Sequence, residues 1–132
     1  MPADRPQATD AELAILKLLW DGGPLTARDI RDQLYPAGTP SDNATVQTLL
    51  QRLERKKLVT RDRTSFAHSF SAAVTREELA GDQLEALAAK LTDGSMVPFI
   101  LHAVSSQRLS AKERSEIREL LESRKGSGRP KS

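Results

Sequence analysis

The sequence predicts a mainly α-helical fold with one short β-hairpin, from three observations. Apolar residues recur at helical spacing in six stretches. Four of these stretches open on a Ser or Thr with an acidic residue three positions later, the signature of a capping box. Between Leu58 and Ala72 the period shortens to two, which is the spacing of a strand.

The chain has 132 residues, enough for one domain or two small ones. Hydrophobic residues make up 38%, so a core is available, although Trp20, Tyr35, Phe66, Phe70 and Phe99 are its only aromatic residues. Cysteine is absent, which excludes disulfides and thiolate metal sites and fits a reducing, cytoplasmic location. The longest apolar run, MVPFIL, is far too short to span a bilayer, so no membrane insertion is expected. MPADRPQATD has no apolar segment of the kind a signal peptide needs.

Residues 1–8, with two prolines and no apolar pattern, read as a flexible leader. Thr9 and Glu12 form the first capping box. Leu13, Leu16, Leu19 and Trp20 make the buried face of the helix, and Asp21-Gly22-Gly23-Pro24 stops it. Leu25 can pair briefly as a strand. Thr26 and Asp29 cap a second helix, with Ala27, Ile30 and Leu34 on one face. The third helix starts at Ser41 or Asp42 and runs to Lys57. Val46, Leu49, Leu50 and Leu53 form its inner stripe.

Leu58–Arg63 and Phe66–Ala72 then read as the two strands of a hairpin, with Phe66, His68 and Phe70 alternating onto one face. Three helices followed by a hairpin is the order of a winged helix-turn-helix, assigned to residues 9–73. Residues 74–124 contain three further helices. The first is opened by Thr75 and Glu78 and carries Ala80, Leu84, Leu87 and Leu91 on a stripe ended by Asp93-Gly94. The second covers Ser95–Val104, with Pro98 in its first turn. The third is opened by Ser110 and Glu113 and turns Ile117, Leu120 and Leu121 inward. Residues 125–132 read as a disordered basic tail.

About 50 residues make a poor independent core. The C-terminal helices are therefore expected to pair with the same region of a second chain, or else to pack on their own N-terminal domain. Leu84, Leu87, Leu91, Phe99, Ile100, Ile117, Leu120 and Leu121 are the expected dimer contacts.

The outer face of the third helix carries the functional signal. Ala44, Thr45, Gln47, Thr48, Gln51, Arg52 and Arg55 offer hydroxyls, amides and guanidiniums, with Glu54 the one nearby carboxylate. Such groups reach base edges and phosphates in a major groove. Taken alone, the same pattern also describes an ordinary amphipathic surface helix. The charge distribution adds weight. Ser41 to Arg63 holds six Lys/Arg against three Asp/Glu, four of the cations lying between Arg52 and Lys57. Lys56, Arg61 and Arg63 are expected to meet phosphates.

TDAELAILKLLW, TARDI, TVQTLLQRLERKKLV and the region around LTDGSMVPFILHAV resemble the penicillinase-repressor family, the BlaI/MecI/CopY group. The likeness covers about residues 9–124. It implies a homodimeric transcriptional repressor whose winged helix binds a palindromic double-stranded operator and whose C-terminal helices dimerise. It also implies base-reading and backbone-contacting roles for Ala44, Thr45, Thr48 and Arg52, and a protease linked to a membrane sensor as a partner. CopY-type members carry a C-terminal cysteine cluster for copper; this chain has none. Antibiotic-responsive members are cut at an Asn-Phe bond, where this chain has His102-Ala103, so cleavage is absent here or differs in specificity.

No enzyme is expected. His68 and His102 have no neighbouring His, Cys or spaced carboxylate pair, and structural roles suit both. No phosphate-binding or nucleophile-elbow motif occurs, and no catalytic residue, metal or cofactor is assigned. The alternative to a DNA-binding repressor is a winged-helix protein-interaction module that scaffolds a complex without binding DNA.

Overall fold

Thr9 starts the first helix, as its capping box predicts. In the computed structural model, which describes residues 7–126 and their side chains as far as Arg124, α1 spans Asp10–Gly22. The Thr9 hydroxyl accepts from the Glu12 amide at 3.2 Å, and Glu12 Oε1 accepts from the Thr9 amide at 2.9 Å. The deepest face holds Glu12, Ile15, Leu16 and Leu19, while Leu13 and Trp20 are half-buried. The stripe is thus rotated from the expected one, because Glu12 is itself buried. Residues 1–6 of the expected leader and 127–132 of the expected tail lie outside the described residues.

A two-residue strand, β1 (Leu25–Thr26), leads into α2 (Ala27–Leu34), where Thr26 and Asp29 form the second box and Ile30 is buried. The Arg31 guanidinium donates to Asn43 Oδ1 at 3.0 Å and ties α2 to the next helix. That helix, α3, spans Pro40–Arg55. Its cap is Thr39, not Ser41 or Asp42. The Thr39 hydroxyl takes the Asp42 amide, the Asp42 carboxylate takes the Thr39 amide, and Pro40 occupies the first turn, where its missing N–H costs nothing. Val46, Leu49, Leu50 and Leu53 are buried as their spacing predicts.

The end of α3 is a Schellman turn. Lys57 takes the left-handed conformation at φ 65°. The Lys57 amide donates to the Glu54 carbonyl and the Leu58 amide to the Leu53 carbonyl, with both leucines buried. One residue later β2 (Val59–Asp62) begins. It pairs antiparallel with β3 (Ser69–Ala72), Val59 facing Ala72 and Asp62 facing Ser69. Leu25 pairs with Phe70, so the sheet order is β1-β3-β2.

The strands are shorter than expected, and the link runs from 63 to 68. Asp62 Oδ1 accepts from the Thr64 amide at 2.9 Å and from the Thr64 hydroxyl at 2.7 Å, which turns the chain out of the ladder. The expected alternation of Phe66, His68 and Phe70 therefore fails. Only Phe70 enters the core, His68 is half-buried, and Phe66 stands in solvent. The three helices and the wing form a winged helix.

Trp20 closes the domain by donating its indole N–H to the Val74 carbonyl at 2.8 Å. Thr75 and Glu78 cap α4 (Arg76–Leu91), whose Leu79 joins the N-terminal core. The chain divides into two compact units between Leu87 and Ala88. In the second unit α5 (Val97–Ser105) contains no buried residue. The last helix, α6 (Ala111–Gly126), is opened by the Ser110–Glu113 box. Ile117, Leu120 and Leu121 do not turn inward in the single chain; they are exposed, as are Leu84, Leu87, Leu91 and Ile100, while Phe99 is half-buried.

Glu12 is also joined to the far end of α3. The Lys56 ammonium donates to Glu12 Oε1 at 2.6 Å and to the Gln7 carbonyl at 3.0 Å. Burial alone would raise the Glu12 pKa, but the Lys56 hydrogen bond and charge and the Thr9 amide outweigh it and hold the carboxyl below its ordinary value. A depressed folded pKa contributes stability that is complete above the unfolded value near 4.5 and is lost as pH falls through the folded one. Glu12→Gln should therefore lower the urea midpoint at pH 7, with the gap from wild type closing below that value. A gap that stays constant from pH 7 to pH 3 would show that the charge is not what holds the two helices.

Candidate nucleic-acid interface

The outer face of α3 is open along its length. Ala44, Thr45, Gln47, Thr48, Gln51, Arg52 and Arg55 are all exposed. Small side chains at Ser41, Ala44, Thr45 and Thr48 leave a shallow depression that ends at Arg52. The Thr45 hydroxyl donates to the Ser41 carbonyl at 3.0 Å, which leaves its lone pairs free to accept. Gln47 lies on the side of the helix that looks toward the wing. Arg52 and Arg55 make no ion pair among the described residues.

Acidic charge is drawn off this face. Asp42 is turned back onto the Thr39 amide at 3.1 Å. Glu54 accepts from Arg61 at 2.9 Å and from Arg63 at 3.4 Å, so it binds the wing to α3. What remains outward on α3 is hydroxyl, amide and guanidinium.

The charge count in the sequence overstates how many cations are free. Lys56, expected at a phosphate, is held by the buried Glu12 and the Gln7 carbonyl. Arg61 is only 18% exposed. It lies 4.7 Å from the Phe70 ring centroid, pairs with Glu54, and has Nη1 3.5 Å from His68 Nδ1. Arg63, at 61% exposed, keeps its charge accessible although it touches Glu54. Spacing along the chain shows none of these partners. Arg28, too, is exposed in the first turn of α2 and without an ion pair among the described residues, and no spacing along the chain marks it. Its only signal was a place inside the Thr26–Asp29 box.

Elsewhere the described residues contain no group of three or more His, Cys, Asp or Glu that could hold a metal ion. His102 is exposed on α5, and its carbonyl accepts from the Ser106 hydroxyl at 2.6 Å. No helix among the described residues is long and apolar enough to cross a membrane.

Comparison with known proteins adds to this geometry. Residues 8–123 match the family described as "Penicillinase repressor". The chain belongs to that family. It is a family of transcriptional regulators, not of enzymes. Among its relatives, the transcriptional regulator BlaI of Mycobacterium tuberculosis is 35% identical over 114 residues, covering 85% of this chain and 80% of that one. The penicillinase repressor of Bacillus licheniformis is 22% identical over 120 residues, 91% of this chain and 93% of its own length. The solution structure of the DNA binding domain of the repressor BlaI is similar at a TM-score of 0.49. It is 24% identical and covers 59% of this chain and 93% of that domain.

The two lysine and arginine positions that end α3 should respond differently to removal. Lys56→Ala strands a buried carboxylate. It should cost roughly 3 kcal/mol in unfolding free energy, the low end for a buried pair because the lysine is partly exposed. Arg55→Ala should leave the unfolding free energy within about 0.5 kcal/mol of wild type, as expected for an exposed residue. Equal thermal denaturation of the two variants would refute the separation of structural from surface cations.

Proposed function

We propose that this member of the family is a homodimeric transcriptional repressor that binds a palindromic operator through α3 and the wing. One observation supports this reading above the rest: the carboxylates nearest the outer face of α3 are engaged, Asp42 by the Thr39 amide and Glu54 by Arg61 and Arg63, while Arg52 and Arg55 make no ion pair among the described residues. Ala44, Thr45, Thr48 and Gln51 lie on this face and would meet base edges. Arg52, Arg55 and Arg63 would neutralise phosphates. Arg61 and Lys56, fixed by their own acids, would act mainly by setting where α3 and the wing sit.

Dimerisation through α4, α5 and α6 is supported by what the single chain leaves uncovered. Leu91 is 68% and Leu121 65% exposed, and α5 buries nothing. Two rigidly joined winged helices gain the effective concentration of linked sites. Their symmetry would require half-sites about one helical turn, or a multiple, apart. Loss of the dimer is the proposed route to derepression, by a protease linked to a membrane sensor or by another signal. The His102–Ala103 bond lies within α5, so a protease acting there would have to unwind that helix first.

Fluorescence anisotropy against the DNA upstream of its own coding sequence tests the reading. Log affinity should fall linearly with log salt, by about 0.9 per phosphate contact. Thr48→Ala or Gln51→Ala should reduce discrimination between operator and random duplex by about 1–3 kcal/mol. Arg55→Ala should weaken both alike. No binding at low salt, or equal losses on both duplexes for every variant, would refute base reading by α3.

The assembly is tested separately. Leu87→Asp places a charge in the proposed interface, at a cost of several kcal/mol if that interface is dry. The expected result by sedimentation is a monomer with a folded N-terminal domain and much weaker operator binding. A wild type that sediments as a monomer at micromolar concentration would overturn the dimer.

A further inference from the structure

Between the start of α2 and the wing lies a notch of about 360 Å³, with Thr26, Arg28, Gln47, Arg61, Phe66 and His68 on its walls. We propose that this notch seats one phosphodiester unit of the operator backbone, beside the groove that α3 enters. In this seat Arg28 takes the phosphate and Phe66 lies against the neighbouring deoxyribose. The proposal rests on the repressor reading and adds a contact outside α3.

The charge of the notch suits a phosphate. Both charged side chains on its walls are arginines. Arg61 is fixed in place, held by Glu54 and stacked on Phe70, so its charge is largely offset and it serves as a rigid wall of the notch, leaving Arg28 as the cation that reaches out. Arg28 is exposed and has no ion pair among the described residues, so its guanidinium is available for a bidentate contact. Asp29, the adjacent acid, is not on the walls; its carboxylate is turned back to the Thr26 amide at 3.1 Å.

Phe66 explains why the ligand is more than an ion. Its exposure is 104%, so it makes no use of its apolar surface within its own chain. A phosphate alone gives an aromatic ring nothing to cover, whereas a sugar-phosphate backbone presents an apolar sugar edge beside each anionic group. Gln47 belongs both to this notch and to the exposed face of α3, so the notch continues the surface proposed to read bases. A backbone entering there meets cation, amide and ring in one place.

The test is an anisotropy titration of the full chain on operator and random duplex across a salt series, with Thr48→Ala measured alongside. Arg28→Ala should weaken both duplexes alike and lower the salt slope by about 0.9, the value for one lost phosphate contact. Arg28→Lys should restore the slope. Phe66→Ala should weaken both duplexes several-fold and leave the slope at the wild-type value. Both positions are exposed, so melting temperatures should match wild type and exclude misfolding. If Thr48→Ala loses discrimination while Arg28→Ala and Phe66→Ala bind as wild type, the notch is not a backbone seat and the repressor reading stands. If Phe66→Ala instead changes sequence preference, the ring acts on bases and the proposed seat is wrong. If the wild type binds neither duplex, the repressor reading fails and the notch proposal with it.

Discussion

One buried carboxylate fixes how the winged helix is put together. Glu12 Oε1 accepts from the Thr9 amide at the start of α1 and from the Lys56 ammonium just past the end of α3. Packing of Ile15 and Leu16 with Leu50 and Leu53 supplies the apolar part of the same core. A buried ion pair adds little net stability over a well-packed apolar substitute. Its effect is on geometry, because any other seat for α3 leaves a buried charge without its partner. The Trp20–Val74 and Arg31–Asn43 hydrogen bonds then hold the chain after the wing and the second helix to that frame.

Helix starts were legible in the sequence because a capping box is a local device. The boxes at Thr9, Thr26, Thr75 and Ser110 form as written. The start of α3 differs from the expected one for the same reason. Ser41 and Asp42 are good caps in isolation, but Asp42 is already the reciprocal partner of Thr39. The wing misled differently. Alternation of Phe66, His68 and Phe70 looks like a strand, yet the Asp62–Thr64 turn ends the ladder first and leaves Phe66 outside. A two-residue side-chain turn outweighs an alternation carried by only three residues when no partner strand extends far enough to pair.

The outer face of α3 was legible because its residues need only be absent from the core. The state of its charges was not. Glu54 meets Arg61 and Arg63 across the start of the wing, and Lys56 meets Glu12 from 44 positions away. A count of cations along the chain treats all of them as equal. In three dimensions Arg28, Arg52 and Arg55 have no ion pair among the described residues, while Lys56 and Arg61 hold the fold together. The apolar stripes of α4, α5 and α6 were read from periodicity, but periodicity says only that a face is apolar and not what covers it.

The turn from α3 into the wing has a mechanical consequence. Only Lys56, Lys57 and Leu58 separate α3 from β2, Lys57 sits at φ 65° in the Schellman turn, and Leu53 and Leu58 are buried in the core on either side of it. A joint this short has no slack, so helix and wing must move as one piece, like two prongs cut from the same plate. Adaptation to a new binding site cannot come from re-aiming one prong against the other. It has to be written in the side chains that the two prongs carry.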